Sequence, residues 1–236
     1  MATAQKPTLE SMFKAGAHFG VSKSRRHPTA KTAIFGQKNG IEIFDLEMTA
    51  EALEKAKKFV ASVAASGKQA LFVGGKSEVI PAVRAAASKA GVPMVAGRWI
   101  GGTLTNFGQI RKRIDIYENR LKEREKGELA KYTKKERLLI DREIAKLELM
   151  FGGIVSMKEK PGVMIVVDPK KEFIAVEEAR QMGVPVVAIA SSDCDHSLVN
   201  YAIPANDASA SSAAYFLDEL AHAYAEGKVL KPEARA

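Results

Sequence analysis

Residues 163–189 read Val-Met-Ile-Val-Val-Asp-Pro-Lys-Lys-Glu-Phe-Ile-Ala-Val-Glu-Glu-Ala-Arg-Gln-Met-Gly-Val-Pro-Val-Val-Ala-Ile. Val163–Val167 is apolar without a break, the pattern of a strand buried on both faces of a parallel sheet. Lys171–Met182 has helical spacing and stops at Gly183, the residue type expected just past a helix. Val184–Ile189 is a second apolar strand. Two like strands joined by one helix make a parallel unit with a crossover. The pattern repeats upstream. Thr49–Ala65 predicts a helix, Ala70–Val73 a strand, Ser77–Ala90 a helix ending at Gly91, and Val92–Ala96 a strand. Downstream, a weak strand near Tyr201–Ile203 precedes a helix over Asp207–Ala225, ending before Gly227. Strand–helix alternation of this kind predicts an α/β fold.

Two segments depart from the alternation. Ala33–Phe35 and Ile41–Phe44 flank Lys38-Asn39-Gly40, and Asn-Gly between apolar runs predicts a β-hairpin near the N-terminus. In 111–148, 22 of 38 residues are charged, too many for a core element. Phe107, Ile110, Ile114, Tyr117 and Leu121 nevertheless recur at spacings of three and four, as do Ile140, Ile144, Leu147 and Phe151. With Gly127 between them, the two stripes predict an antiparallel coiled-coil hairpin inserted at 107–151. Thr133 with Glu136 fits a capping box at the start of its second helix. The globular part is then 1–106 together with 152–236. No repeat of solenoid period is present.

The chain has 236 residues, 46% of them hydrophobic, enough for a full core. Its net charge is +8 and its pI about 9.4, which favours an anionic partner. The charge is unevenly spread, at +6 over 1–38, +4 over 111–148 and −4 over 149–236. A basic first half beside an acidic last third suits a protein that turns one face to an anionic polymer. The single Cys194 excludes an intramolecular disulfide framework and fits a reducing cytoplasm. No apolar run reaches membrane-spanning length, and Met1–Lys6 lacks the apolar region of a signal peptide.

Catalytic patterns are incomplete. Gly74-Gly75-Lys76-Ser77 follows a strand and opens a helix, where a phosphate loop would stand, but the upstream glycine of the Walker pattern is missing from the apolar run. A helix-start turn is the preferred reading. Asp193-Cys194-Asp195-His196 lacks a second Cys or a His pair at zinc-ligand spacing, so it reads as a loop held by aspartate side chains. His18 and His27 have no partner that sequence can supply, and the serines at 191, 192, 209, 211 and 212 sit in no nucleophile elbow. No metal or cofactor is expected. The basic groups carry more information. Lys23, Arg25, Arg26 and Lys31 lie in a stretch with little apolar pattern that would order poorly without a neutralising partner. Arg98, Arg111, Lys112 and Arg113 bracket the chain's only Trp and a glycine pair, Gly101-Gly102. These eight cations are candidates for phosphate or sugar contacts on RNA. Trp99 has two readings, stacking on a base or packing under the base of the hairpin.

The decapeptide Arg98–Phe107, RWIGGTLTNF, resembles the W-x-G-G-x-L-T-N signature of the bacterial-type small-subunit ribosomal protein two family. Further stretches are similar in the same order: Ala15–Gly20, Asn39–Leu46, Phe72–Lys76, Leu149–Ile154 and Ile203–Asp207. Val21, Arg26–Ala30, Ser191–His196 and Ala208–Ser211 depart from the family pattern, as in a divergent member. The resemblance implies a Rossmann-like or flavodoxin-like parallel sheet flanked by helices, carrying an inserted coiled-coil hairpin. It also implies a non-catalytic structural part of the small ribosomal subunit in the cytoplasm. Implied partners are small-subunit ribosomal RNA and neighbouring small-subunit proteins, including protein one where a species has it, with no membrane and no homo-oligomer. Trp99 and Asn106 of the signature join the eight cations as candidate RNA-contacting residues. A nucleotide- or sugar-phosphate-binding enzyme of Rossmann-like fold is the alternative, resting on the Gly74–Ser77 turn and on Asp168 and Asp193 at strand ends. A coiled-coil adaptor that binds a protein through its hairpin is a third reading.

Overall fold

A computed structural model describes residues 9–229. The signal-peptide reading of Met1–Lys6 and the outer ends of the 1–106 and 152–236 segments lie outside the described residues. In chain order the elements are α1 (Leu9–Lys14), β1 (Phe19–Ser22), β2 (Ile34–Lys38), β3 (Ile41–Phe44), α2 (Leu46–Ala65), β4 (Ala70–Gly74), α3 (Ile80–Ala90), β5 (Met94–Ala96), α4 (Phe107–Glu125), α5 (Lys134–Phe151), β6 (Val163–Val167), α6 (Phe173–Gln181), β7 (Val186–Ala190), β8 (Tyr201–Pro204) and α7 (Ala210–Val229). Short 3-10 turns at Lys23–Arg25 and Pro28–Ala33 link β1 to β2.

The five long-range strands form a parallel sheet in the order β5-β4-β6-β7-β8. Numbered within the sheet this is 2-1-3-4-5, the flavodoxin-like order, whose topological switch point lies between β4 and β6. The pleat sends alternate residues to opposite faces. Ala70 and Phe72 of β4 and Val163, Ile165 and Val167 of β6 pack into one apolar layer with α2, α3 and α7. Leu71, Val73, Met164 and Val166 face the other way, onto α6 and the root of α4 and α5. Both faces are covered, which is why these strands read as unbroken apolar runs.

The predicted hairpin is present as β2 and β3, turning at Asn39 (φ 52°) and Gly40 (φ 79°). The sequence reading missed β1, which completes a three-stranded antiparallel sheet in the order β1-β3-β2. Several boundaries move for one reason. Proline cannot donate to a ladder. Pro93 and Pro185 give only their carbonyls, to Phe72 N at 3.2 Å and Met164 N at 2.9 Å, so β5 starts at Met94 and β7 at Val186. Pro81 fits only the first turn of a helix, so α3 starts at Ile80 rather than Ser77. Gly227 is not a stop signal. α7 runs through it to Val229, and a Cβ at 227 would collide with the backbone of Ala61 on α2. Here glycine sets how closely two helices approach.

The charged insertion folds as two helices joined through Gly127 (φ 71°) and a 3-10 turn at Glu128–Lys131. Its apolar seam is graded. Ile110, Ile114 and Tyr117 of α4 and Ile144, Leu147 and Phe151 of α5 are buried and continuous with the lower core layer. Towards the tip, Leu138 and Leu139 are exposed. Among the described residues no helix is long and apolar enough to cross a membrane.

Candidate nucleic-acid interface

The loop between β5 and α4 carries the sequence's most distinctive decapeptide, and one carboxylate organises it. Glu178 lies on α6, in line with the apolar positions Ala175, Ala179 and Met182, and is 6% exposed. Its Oε1 accepts hydrogen bonds from Trp99 Nε1 at 3.1 Å and Gly102 N at 2.7 Å. Its Oε2 accepts from Leu104 N at 2.9 Å and from Thr105 N and Oγ1, each at 3.1 Å. Burial alone would raise the pKa of this carboxyl, but the donors from Trp99, Leu104, Gly102 and Thr105 outweigh it and hold the value below the usual glutamate range. Of the glycine pair, Gly102 occupies the left-handed region (φ 89°), which aims its N–H at Glu178.

Trp99 is therefore spoken for. It is 6% exposed, its indole N–H is bound, and its ring packs with Leu104, Ile110 and Phe151 under the hairpin root. This is the surrounding expected of the packing reading. Arg111 is also engaged. It meets Asp115 at 3.0 Å and Glu118 at 2.9 Å, and donates to the carbonyl of Val155 at 3.0 Å, tying the first helix of the hairpin to the chain just past the second. Arg98, Asn106, Lys112 and Arg113 are exposed. None of these four side chains has a hydrogen-bond or ion-pair partner among the described residues.

The N-terminal basic segment is tied to the rim of the sheet by hydrogen bonds. Ser192, just past β7, anchors it by accepting His27 N at 2.8 Å on its carbonyl and Val21 N at 3.0 Å on its hydroxyl. Thr29 links it to the Asp195–His196 turn, donating to Asp195 at 3.3 Å and accepting His196 N at 3.0 Å. Arg26 pairs at 3.0 Å with Glu42, which is 2% exposed. Lys23, Arg25 and Lys31 remain exposed, with no ion-pair partner among the described residues. The two basic groups are some seventy residues apart in sequence. Both stand on the carboxyl rim of the sheet, one beyond β5 and the other over the end of β7. Three strand spacings separate those ends, roughly 14 Å.

Ligands of open α/β sheets bind at that rim, at the switch point between β4 and β6. Here the position is filled from within. Lys76 Nζ lies 2.7 Å from Asp168 Oδ2 and 3.0 Å from Asp207 Oδ1. Burial would lower the pKa of Lys76, but Asp207 and Asp168 raise it above its ordinary value. Burial, then the neighbouring Asp168 charge, lifts Asp207 to about 6. Glu172 closes the turn at Gly75, and burial raises its pKa too. A phosphate placed here would meet three carboxylates and a lysine already neutralised, which disfavours the nucleotide-enzyme alternative. Asp168, Cys194 and Asp207 stand close enough to share a cation, but the Lys76 ammonium already supplies the positive charge. Burial and these carboxylates raise the pKa of Cys194, so it stays a thiol. The 193–196 segment is held largely as expected of aspartate side chains, Asp195 accepting from Ser197 N at 2.9 Å and Asp193 pairing with Lys170 at 2.8 Å.

Sequence reasoning missed two features. One is Glu178, whose signal was a carboxylate at an apolar position of a helical stripe. The other is an aromatic face at the N-terminal sheet. Phe13 and Phe35 are 60% and 80% exposed beside His18, which stacks on Phe13 at 4.4 Å.

Comparison with known proteins agrees with this architecture. A family model described as Ribosomal protein S2 matches residues 12–227. The chain is 41% identical over 229 residues to the small ribosomal subunit protein uS2 of Maridesulfovibrio salexigens, covering 97% of this chain and 88% of that protein. It is 40% identical over 221 residues to uS2 of Roseiflexus sp. (strain RS-1), covering 94% and 84%. It is 42% identical over 221 residues to uS2 of Coprothermobacter proteolyticus, covering 94% and 82%. With the sheet, the inserted hairpin and the signature loop all falling inside the matched span, the chain belongs to the ribosomal protein S2 family.

Proposed function

We propose that this protein is a non-catalytic structural constituent of the small ribosomal subunit, holding small-subunit ribosomal RNA through phosphate contacts and touching neighbouring ribosomal proteins, on the cytoplasmic ribosome. The observation that carries the reading is the family match over 12–227, which takes in nearly all the described chain. The geometry supports it. Lys23, Arg25, Lys31, Arg98, Lys112 and Arg113 are exposed and have no ion-pair partner among the described residues, while the switch-point pocket of an enzyme is closed by Lys76, Asp168 and Asp207. The exposed Phe13 and Phe35 form an apolar face suited to a protein neighbour, with protein one the candidate where the host has it. The inserted hairpin, 107–151, is the second projecting surface. The test is sedimentation of the tagged protein through a sucrose gradient. It should travel with small subunits at low salt and be released as salt rises. Protein that stays at the top of the gradient at low salt would overturn the reading.

A further inference from the structure

We infer that the cleft between the β5 edge of the sheet and the root of the hairpin is a binding site for one phosphodiester group of the RNA. The inference rests on the ribosomal reading above and adds to it a residue, Arg84, that lies in neither basic segment of the sequence. The cleft has a volume of about 310 Å³. Arg84 on α3 and Arg98 after β5 line it from two separate elements, and both are exposed. Neither has a hydrogen-bond or ion-pair partner among the described residues. That sets them apart from Lys57, Lys89, Arg111, Arg120 and Arg180, each matched by a carboxylate of its own.

Two arginines lining one concavity from separate elements can offer an anion hydrogen-bond donors from two sides. Their planar donor forks match the oxygens of a phosphate better than a lysine point charge does. Glu148 is the one carboxylate in the lining, so the cleft carries a net charge of only +1. That balance suits a single phosphodiester and disfavours a polyphosphate. Leu149, which is 80% exposed, and Met94 line the same cleft and offer apolar cover to the adjoining sugar.

The test measures binding of the full chain to small subunits washed free of it, as a function of salt. Each neutralised phosphate adds about 0.7–0.9 to the slope of log affinity against log salt. Arg84→Gln and Arg98→Gln should each lower the slope by up to that amount. The double variant should lower it no further than the release of one phosphate would, because the two arginines share that phosphate. Lys228→Gln removes the same charge from α7, on the acidic third of the chain, and should leave the slope unchanged. Slopes for the arginine variants equal to that of Lys228→Gln would overturn the site. A double variant whose slope falls by clearly more than the roughly 0.9 that one phosphate accounts for would overturn the shared phosphate. Wild-type protein that does not bind depleted subunits at all would instead overturn the ribosomal reading on which the site rests.

Discussion

Glu178 shows how one buried charge can fix a recognition loop. Its carboxylate collects the backbone N–H groups of Gly102, Leu104 and Thr105 and the indole of Trp99, donors for which the described residues provide no other acceptor. Glu178→Gln puts an amide NH2 against these donors and leaves at least one unpaired. The expected cost is about 3 kcal/mol in urea unfolding at pH 7. The pH dependence has a defined sign. The folded-state pKa lies below the ordinary value of 4.5, so the stabilisation is complete above pH 4.5 and is lost as the pH falls through the folded value. Wild-type stability should therefore drop more steeply than that of Glu178→Gln on acidification below about pH 4.5. Parallel acid profiles for the two proteins would show that the loop does not depend on the charge. The sequence carried a sign of this residue, since Glu178 interrupts the stripe Ala175-Ala179-Met182. What it lacked was the partner, because the donors come from a loop more than seventy residues upstream.

At the scale of elements, the hairpin gains most of its order from its root. Its fully buried seam ends near Tyr117 and Ile144, Leu121 and Ile140 extend it only partly buried, and apart from Leu129 in the turn the outer helices rest on local devices. One is the predicted capping box. Thr133 Oγ1 accepts Glu136 N at 3.4 Å, and Glu136 Oε2 accepts Thr133 N at 2.9 Å. Thr133→Ala should cost about 1 kcal/mol locally. It should speed amide exchange across residues 128–140 while leaving that of β4 and β6 unchanged, since tip and core open separately. Uniform acceleration throughout the chain would show instead that hairpin and sheet unfold as one unit. The helices of the hairpin were legible because a cap and a stripe are local signals. The third strand of the small sheet was not, because Phe19–Ser22 is short, half-exposed and identified only by its pairing with β3. The run of α7 through Gly227 was illegible for the same kind of reason, the close neighbour of that glycine being Ala61 on another helix.

Across the whole molecule, charge and topology act together. The parallel sheet brings the segment after β5 and the segment docked on β7 to one rim, so basic groups remote in sequence share a side. Sequence alone grouped the cations by proximity along the chain and could not separate the committed from the free. Arg26 and Arg111 belong to Glu42 and to Asp115 with Glu118, whereas Lys112 and Arg113 have no such partner among the described residues. The cluster at 111–113 should therefore divide under mutation. Lys112→Gln with Arg113→Gln should leave the melting temperature within about a degree of wild type, since exposed changes alter stability by little. The same pair should weaken occupancy of depleted small subunits and lower the salt slope by up to about 0.9 for each phosphate no longer neutralised. Arg111→Gln should do the reverse. It removes the bond to the Val155 carbonyl that ties the hairpin root to the returning chain, so it should lower the melting temperature by several degrees and change the salt slope little. Occupancy at low salt would then fall only as far as the hairpin's orientation is disturbed. If Arg111→Gln instead lowers the salt slope as much as Arg113→Gln at unchanged stability, the guanidinium has left its carboxylates to hold RNA, and the root of the hairpin is rearranged on the ribosome.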